Sequence, residues 1–273
     1  MARSTGLPAS LTLVGAGKMG GAMLAGWLEA GLDPATTTVI DPAPASEIAA
    51  LCAERGLRLN PQTPERAEVV ILAIKPQGLE AAAAGIDPCL GETSLLISIL
   101  AGKTVANLRD RLPKASAIVR AMPNLPASIG RGATGAAASP EVTPAQRTMA
   151  GALLAASGHV EWLESEAMID AVTAVSGSGP AYVFHMVEAL AEAGIAAGLP
   201  PEVAARLARA TVSGAGALLD ASPLEAAELR RNVTSPGGTT AAALDVLMRG
   251  DGLPALMREA VAAAKRRAGE LSG

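Results

Sequence analysis

Two hydrophobic rhythms alternate through the first half of the chain. Residues 11–14 form a short, mostly apolar run that leads straight into a Gly-rich turn. Met19, Ala22, Met23 and Trp27 then recur at helical spacing up to Gly31, a natural C-terminal stop. A β-branched run at 37–40 ends at Asp41-Pro42, and a helix-like segment follows at 46–55 with Ser46 placed to cap it. Residues 57–59 read as a third short strand. The run Val69-Val70-Ile71-Leu72-Ala73-Ile74 is continuous and apolar, as strands covered on both faces are, and Lys75-Pro76 ends it. Further strands are expected at 95–99 and at 117–120, the second running on to Met122-Pro123-Asn124, with edge strands at 132–138 and 159–163. Strands alternating with helices imply right-handed crossovers and a parallel, doubly wound sheet of Rossmann type.

From about Ala167 the strand-like runs disappear. Long Ala/Leu/Val helical patterns take over at 180–197, 201–219, 224–231, 239–249 and 253–271. Breaks at Gly198-Leu199-Pro200 and at residues 220–223 separate them. The expected architecture is therefore α/β: a dinucleotide-binding domain over 1–164 and an all-α domain over 165–273. At 273 residues the chain can bury a sound core in each.

Composition narrows the function. Aromatics make up 1% of the residues while alanine and glycine dominate, which suits closely packed helices and a helix–helix interface. The net charge is -4, with no basic stripe interleaved with aromatics, so nucleic-acid binding has no electrostatic footprint. Cys52 and Cys89, the two cysteines, stand far apart without a C-x-x-C or a neighbouring histidine. They read as buried thiols in a reducing cytoplasm rather than as a disulfide or metal site. The first ten residues carry no signal-peptide pattern, and no apolar stretch reaches the ~18 residues of a membrane span.

The candidate chemistry begins at Gly15-x-Gly17-x-x-Gly20, between an expected strand and an expected helix. The first glycine allows the tight turn, the second lets backbone approach a pyrophosphate, and the third lets helix pack on strand. Val14, Gly15, Ala16, Gly17, Lys18 and Met19 are thus cofactor candidates. Asp41 closes the second strand about 20 residues on, where an acid accepts the ribose hydroxyls of NAD. Acid–base residues are scarce: His159 and His185 are the two histidines, and His185, in an apolar helical run, reads as a packed residue. Lys265 lies with Arg266 and Arg267 on a solvated helix face. Two small-residue segments, Ser176-Gly177-Ser178-Gly179-Pro180 and Thr234-Ser235-Pro236-Gly237-Gly238-Thr239-Thr240, each precede a helix. Backbone N–H groups at such a start can hold a carboxylate, though each segment alone also reads as a capped turn.

Together the segments resemble one family. Gly-Ala-Gly-Lys-Met-Gly at 15–20, Ala-Ile-Lys-Pro at 73–76, Arg-Ala-Met-Pro-Asn at 120–124, Ala-Val-Ser-Gly-Ser-Gly-Pro-Ala-Tyr at 174–182 and Ser-Pro-Gly-Gly-Thr-Thr at 235–240 occur in the order seen in pyrroline-5-carboxylate reductases. The resemblance spans nearly the whole chain and is most specific at 174–182 and 235–240. It implies an N-terminal domain holding NADP, with NADPH preferred and NADH left open by Asp41, and a helical domain that intertwines with a second copy, such dimers assembling further. It also implies that Ala73, Ile74, Lys75 and Pro76, with Ile99, Leu100 and Ala101, line the nicotinamide side. Ser235, Gly238 and Thr239 would then hold the substrate carboxylate, and Thr240 would serve the ring nitrogen as the catalytic group. The small substrate would be 1-pyrroline-5-carboxylate and the product L-proline. Lys18 stands where relatives often carry Asn or Gln, and Ile99-Leu100 where many carry smaller residues.

Two rival readings make different demands. A β-hydroxyacid dehydrogenase shares the Gly-rich opening but needs a lysine early in its second domain, and none occurs between Lys114 and Lys265. A silent NADP-binding sensor would tolerate a damaged substrate loop, whereas the loop here is intact.

Overall fold

A computed structural model describes residues 6–272. The chain opens with β1 (Leu11–Val14), α1 (Lys18–Glu29), β2 (Thr37–Ile40), α2 (Ser46–Arg55) and β3 (Arg58–Leu59). It continues through β4 (Val69–Leu72), α3 (Leu79–Ile86), β5 (Leu95–Ser98), α4 (Val105–Arg111) and β6 (Ala117–Met122). Next come β7 (Gly132–Ala138), α5 (Pro144–Ala155), β8 (Gly158–Trp162) and α6 (Ile169–Val172). The remaining elements are α7 (Gly179–Ala196), α8 (Pro201–Ala221), α9 (Ala226–Asn232), α10 (Thr239–Leu247) and α11 (Leu253–Ser272).

The eight strands form one sheet in the order β3-β2-β1-β4-β5-β6-β7-β8. Strands β1 to β6 are parallel, and β7 turns back antiparallel to β6 with β8 parallel beside it. The expected parallel, doubly wound sheet is present, with one antiparallel pairing, β6 to β7, toward one end. Segment 132–138 is an interior strand, not an edge; β8 takes the edge at that end of the sheet and β3 the other. The connection explains this. A short 3-10 turn over Leu125–Ile129 reverses the chain, with Gly130 at φ +68 closing it, where a parallel return would need a full crossover.

The alternating side chains of the strands divide the core into two layers. Leu13, Ile71, Ile97 and Val119 face Met23, Leu24 and Trp27 of α1 and Leu153 of α5. Val14, Val70, Leu72, Leu96 and Ile118 face Leu79 and Ile86 of α3 and Leu108 of α4. Trp27 is fully buried, and its indole Nε1 donates to the Leu153 carbonyl at 2.7 Å, joining α1 to α5.

Helix ends follow local chemistry, with one departure from the sequence reading. Thr104 and Thr143 each form a capping box, with Asn107 and Gln146 as reciprocal partners. Ser46, expected as a cap, is instead the first residue of α2. Ala45 takes the cap position in extended conformation and provides no side-chain bond. The helix therefore begins one residue earlier than a capping serine would set it.

By contacts the chain divides into two compact units. One comprises the chain through Gly177 together with the residues from Ala264 onward, and the other is Ser178–Ala263. No helix among the described residues is long and apolar enough to cross a membrane.

Candidate active site

In a doubly wound sheet, ligands bind at the carboxyl ends of the strands where the strand order reverses. Here that point lies between β1 and β4, with the turn over residues 15–20 above it. Gly15 has φ +89, and its N–H donates to the Ile40 carbonyl at 2.8 Å. A Cβ at Gly15 would come within 2.8 Å of the Ala73 backbone, and one at Gly20 within 2.2 Å of the Gly15 carbonyl oxygen. Both positions are closed to any other residue. Gly17 differs, because a Cβ there meets nothing within 4 Å. Gly17 is also the cap of α1, offers no side-chain cap, and is followed by no acidic residue in the first turn. Unpaired N–H groups and the positive end of a helix dipole thus face open space, which fits a dinucleotide pyrophosphate.

Asp41 lies where the sequence expects it but has other partners as well. One carboxylate oxygen accepts from the Ala16 N–H at 2.8 Å and the other from the Ala43 N–H at 2.9 Å. Its backbone is held in turn by Asn60, whose amide oxygen accepts from the Asp41 N–H at 2.9 Å and whose Nδ2 donates to the Asp41 carbonyl at 2.7 Å. Asn60 has φ +48, a region that Asn tolerates better than most residues. The acid that ends β2 therefore also braces the Gly-rich turn.

On the other side of β1, the Ala73 N–H donates to the Val14 carbonyl and the Ile99 N–H to that of Leu72. These bonds draw the segments after β4 and β5 together. Ala73 and Ile74 are partly buried, while Lys75 is exposed and caps the 3-10 turn Pro76–Gly78 with backbone only. Leu100 is buried in the layer of α3 and α4, so it presents only backbone to the crevice. Ala101 is exposed.

The segment 235–240 belongs to the second unit. The Gly238 N–H donates to the Ser235 carbonyl at 3.0 Å, closing a turn through Gly237 at φ +71. Gly238 caps α10 without a side chain, and Thr239 and Thr240 are the helix's first two residues. Open N–H donors and neutral hydroxyls thus share one helix start, a suitable seat for a carboxylate.

The other small-residue segment has a different fate. Residues Thr173–Gly177 form a π-helical turn that leads toward α7 rather than a loop. The Ser176 hydroxyl donates to the Ala133 carbonyl at 2.8 Å, and the Ser176 carbonyl accepts from Asn124 Nδ2 at 3.1 Å. Asn124 Oδ1 also accepts from the Ala133 N–H at 2.9 Å. The Ser176 hydroxyl, the side-chain donor that could have held an anion, is committed to the sheet. In the sequence Asn124 stands out only as part of the 120–124 motif; its position just after a strand, following Pro123, is the signal available there. His185 is a second correction. It is exposed and lies 3.2 Å from Glu188 rather than packed within the protomer. His159 is likewise exposed, 3.4 Å from Glu161. No group of three His, Cys, Asp or Glu side chains suited to a metal gathers among the described residues.

Comparison with known proteins adds a sequence relationship to this geometry. The chain is 40% identical to a pyrroline-5-carboxylate reductase of Pseudomonas aeruginosa over 265 residues, covering 96% of both chains. This chain belongs to the pyrroline-5-carboxylate reductase family. A reductase of the same name from Synechocystis is 44% identical over 79% of this chain and 80% of its own. Residues 166–271 match the family described as pyrroline-5-carboxylate reductase dimerisation, and residues 10–102 match that described as NADP oxidoreductase, coenzyme F420-dependent. A solved pyrroline-5-carboxylate reductase from Coxiella burnetii superposes with a TM-score of 0.90 at 37% identity, covering 99% of this chain and 100% of that one. The Plasmodium falciparum pyrroline carboxylate reductase, solved with NADP bound, gives 0.79 at 26% identity over 98% and 100%. Membership of the family makes this chain an NAD(P)H-dependent oxidoreductase that forms a homo-oligomer through its helical part.

Proposed function

We propose that this chain reduces 1-pyrroline-5-carboxylate to L-proline with NADPH as hydride donor. The observation that carries the reading is the Ser235–Thr240 turn. It presents uncapped N–H groups at the start of α10, in a chain related to named pyrroline-5-carboxylate reductases over nearly its whole length. When bound, the dinucleotide supplies a hydride to the imine carbon, and the electron pair of the C=N bond passes to nitrogen, which becomes the amine of proline.

The chain's own residues bind and orient. Val14, Gly15, Ala16, Gly17, Lys18 and Met19 surround the pyrophosphate through backbone, and Asp41 bounds the ribose end. Ala73 to Pro76 and Ile99 to Ala101 form the nicotinamide wall, contributing backbone shape rather than charge. Ser235, Gly238 and Thr239 grip the substrate carboxylate, and the Thr240 hydroxyl holds the ring nitrogen. A protonated imine is already electrophilic, so the scarcity of acid–base residues is no obstacle. Fixing donor and acceptor together can supply roughly 7–11 kcal/mol in favourable cases.

The functional boundary falls near 164/165, just before the dimerisation match begins at residue 166. The assembly is a homodimer that associates further, and two free, buried thiols suit the reducing cytoplasm.

The test is turnover with purified protein, following nicotinamide absorbance with NADPH and NADH in parallel. Oxidation that depends on 1-pyrroline-5-carboxylate and yields proline is expected; its absence with both cofactors overturns the reading. Light scattering after size-exclusion chromatography measures the assembly, and a monomer would contradict the dimer.

A further inference from the structure

Among the described residues of the first unit, Arg120 is the most deeply buried charged one, only 4% exposed. It lies on β6 two residues after Ile118, so it shares the face covered by α3 and α4. A buried guanidinium needs a partner. Its Nη1 donates to Glu166 Oε1 at 2.7 Å. The same oxygen accepts a second bond, from the Val105 N–H at 2.7 Å. Val105 is the first residue of α4, immediately after the capping Thr104.

This arrangement bears on the residues between β5 and α4, numbers 99–104. At the start of that loop the Leu100 N–H donates to Ser98 Oγ at 3.3 Å. At its middle, Gly102 has φ +70, and a Cβ there would come within 2.7 Å of the Leu271 carbonyl oxygen. At its end, Glu166 holds Val105. Nearby, Ser272 Oγ lies 3.4 Å from Asp170 Oδ1, linking the end of α11 to α6. Glu166 and Leu271 are the first and last residues of the dimerisation match. Both ends of that segment back the same loop.

We propose that Glu166 is a positioning residue for the nicotinamide half of the cofactor site. Held by Arg120, its carboxylate fixes the start of α4 and with it the wall formed by Ile99, Leu100 and Ala101. The inference rests on the assignment of that wall made above. The adenosine and pyrophosphate half, at the turn over 15–20, does not depend on Glu166.

The test compares two ligands on the full chain without substrate, by fluorescence titration: NADPH, and 2′-phospho-ADP-ribose, which lacks nicotinamide. Glu166→Gln retains the side-chain shape but removes the charge that Arg120 and Val105 share. It is expected to weaken NADPH about tenfold, because a neutral amide oxygen accepts from Arg120 and Val105 more weakly than a carboxylate does, while 2′-phospho-ADP-ribose changes less than about twofold. The double variant Arg120→Met, Glu166→Met removes the buried guanidinium together with its partly exposed partner and is expected to recover thermal stability while NADPH stays weak, since Val105 remains unheld. Parallel weakening of both ligands, unchanged NADPH affinity, or recovery of NADPH affinity in the double variant would each overturn the proposal. Should Glu166→Gln fail to fold, the double variant alone decides. Loss of turnover in the unaltered protein would defeat the functional reading instead, leaving these affinities readable.

Discussion

Among single residues, Thr240 and Asp41 carry the most specific expectations. Thr240 is the second residue of α10, and its hydroxyl is assigned to the imine nitrogen. Thr240→Ala is expected to lower kcat roughly tenfold with little change in thermal stability, because a bond made chiefly in the transition state is lost. Steady-state kinetics beside a melting curve checks this, and an unchanged kcat would remove Thr240 from the reaction. Asp41 poses a question that sequence alone leaves open. At the end of β2 an acid reads as an NAD selector, yet here both carboxylate oxygens receive backbone N–H groups, from Ala16 and Ala43. Asp41→Ala is therefore expected to weaken NADPH and NADH together, by about three- to tenfold, since one braced turn serves both. Titration of each cofactor checks the ratio. A gain for NADPH with a loss for NADH would mean that the acid selects. The motif residues were legible because their spacing implies a backbone shape. Asn60, Asn124 and Arg120 were not, because each acts on a segment distant in sequence.

For whole elements, hydrophobic rhythm served well. The strands at 37–40 and 132–138 and the helix at 46–55 have the bounds their patterns suggest. The direction of β7 was hidden, since alternation looks the same in parallel and antiparallel strands. The π-helical turn at Thr173–Gly177 was hidden too, because small residues suit a loop and a widened helical turn equally. The join between α1 and α5 depends on Trp27, fully buried and bonded to Leu153. Trp27→Ala removes the largest fully buried side chain of that layer and leaves a cavity. A destabilisation of about 3–5 kcal/mol is expected in urea unfolding, with m unchanged. A loss below about 1 kcal/mol would show that α1 and α5 collapse onto each other freely.

Across the whole molecule, exposed apolar residues are concentrated in the later helices. Val183, Phe184, Met186 and Leu190 on α7 and Leu207, Leu218 and Leu219 on α8 are all open in the protomer. Patches on this scale mark contact surfaces, in keeping with the dimerisation match over 166–271. The sequence signalled helices rich in alanine there; which faces lie open is visible only once the helices are placed. The first unit also carries a pH signature. Burial pushes the thiols of Cys52 and Cys89 up from their ordinary value. The native state thus keeps these protons when the unfolded chain gives them up. Their contribution is fully present below the unfolded thiol pKa of about 8.5 and is lost as pH rises from there through the higher native values. Chemical unfolding across this alkaline window is expected to show a slope that shallows in a Cys52→Ala, Cys89→Ala variant, and identical slopes would refute it.

The return of residues 264–272 to the first unit has a consequence for synthesis. Strands and helices through Gly177 leave the ribosome first, so the sheet can close and the Gly-rich turn can form at once. Gly102, however, waits for Leu271 to reach it. At ordinary elongation rates that interval is on the order of ten seconds. The nascent chain therefore completes its Gly-rich turn before residues 99–104 have their backing, and the first unit is finished only after the whole of the second has been made.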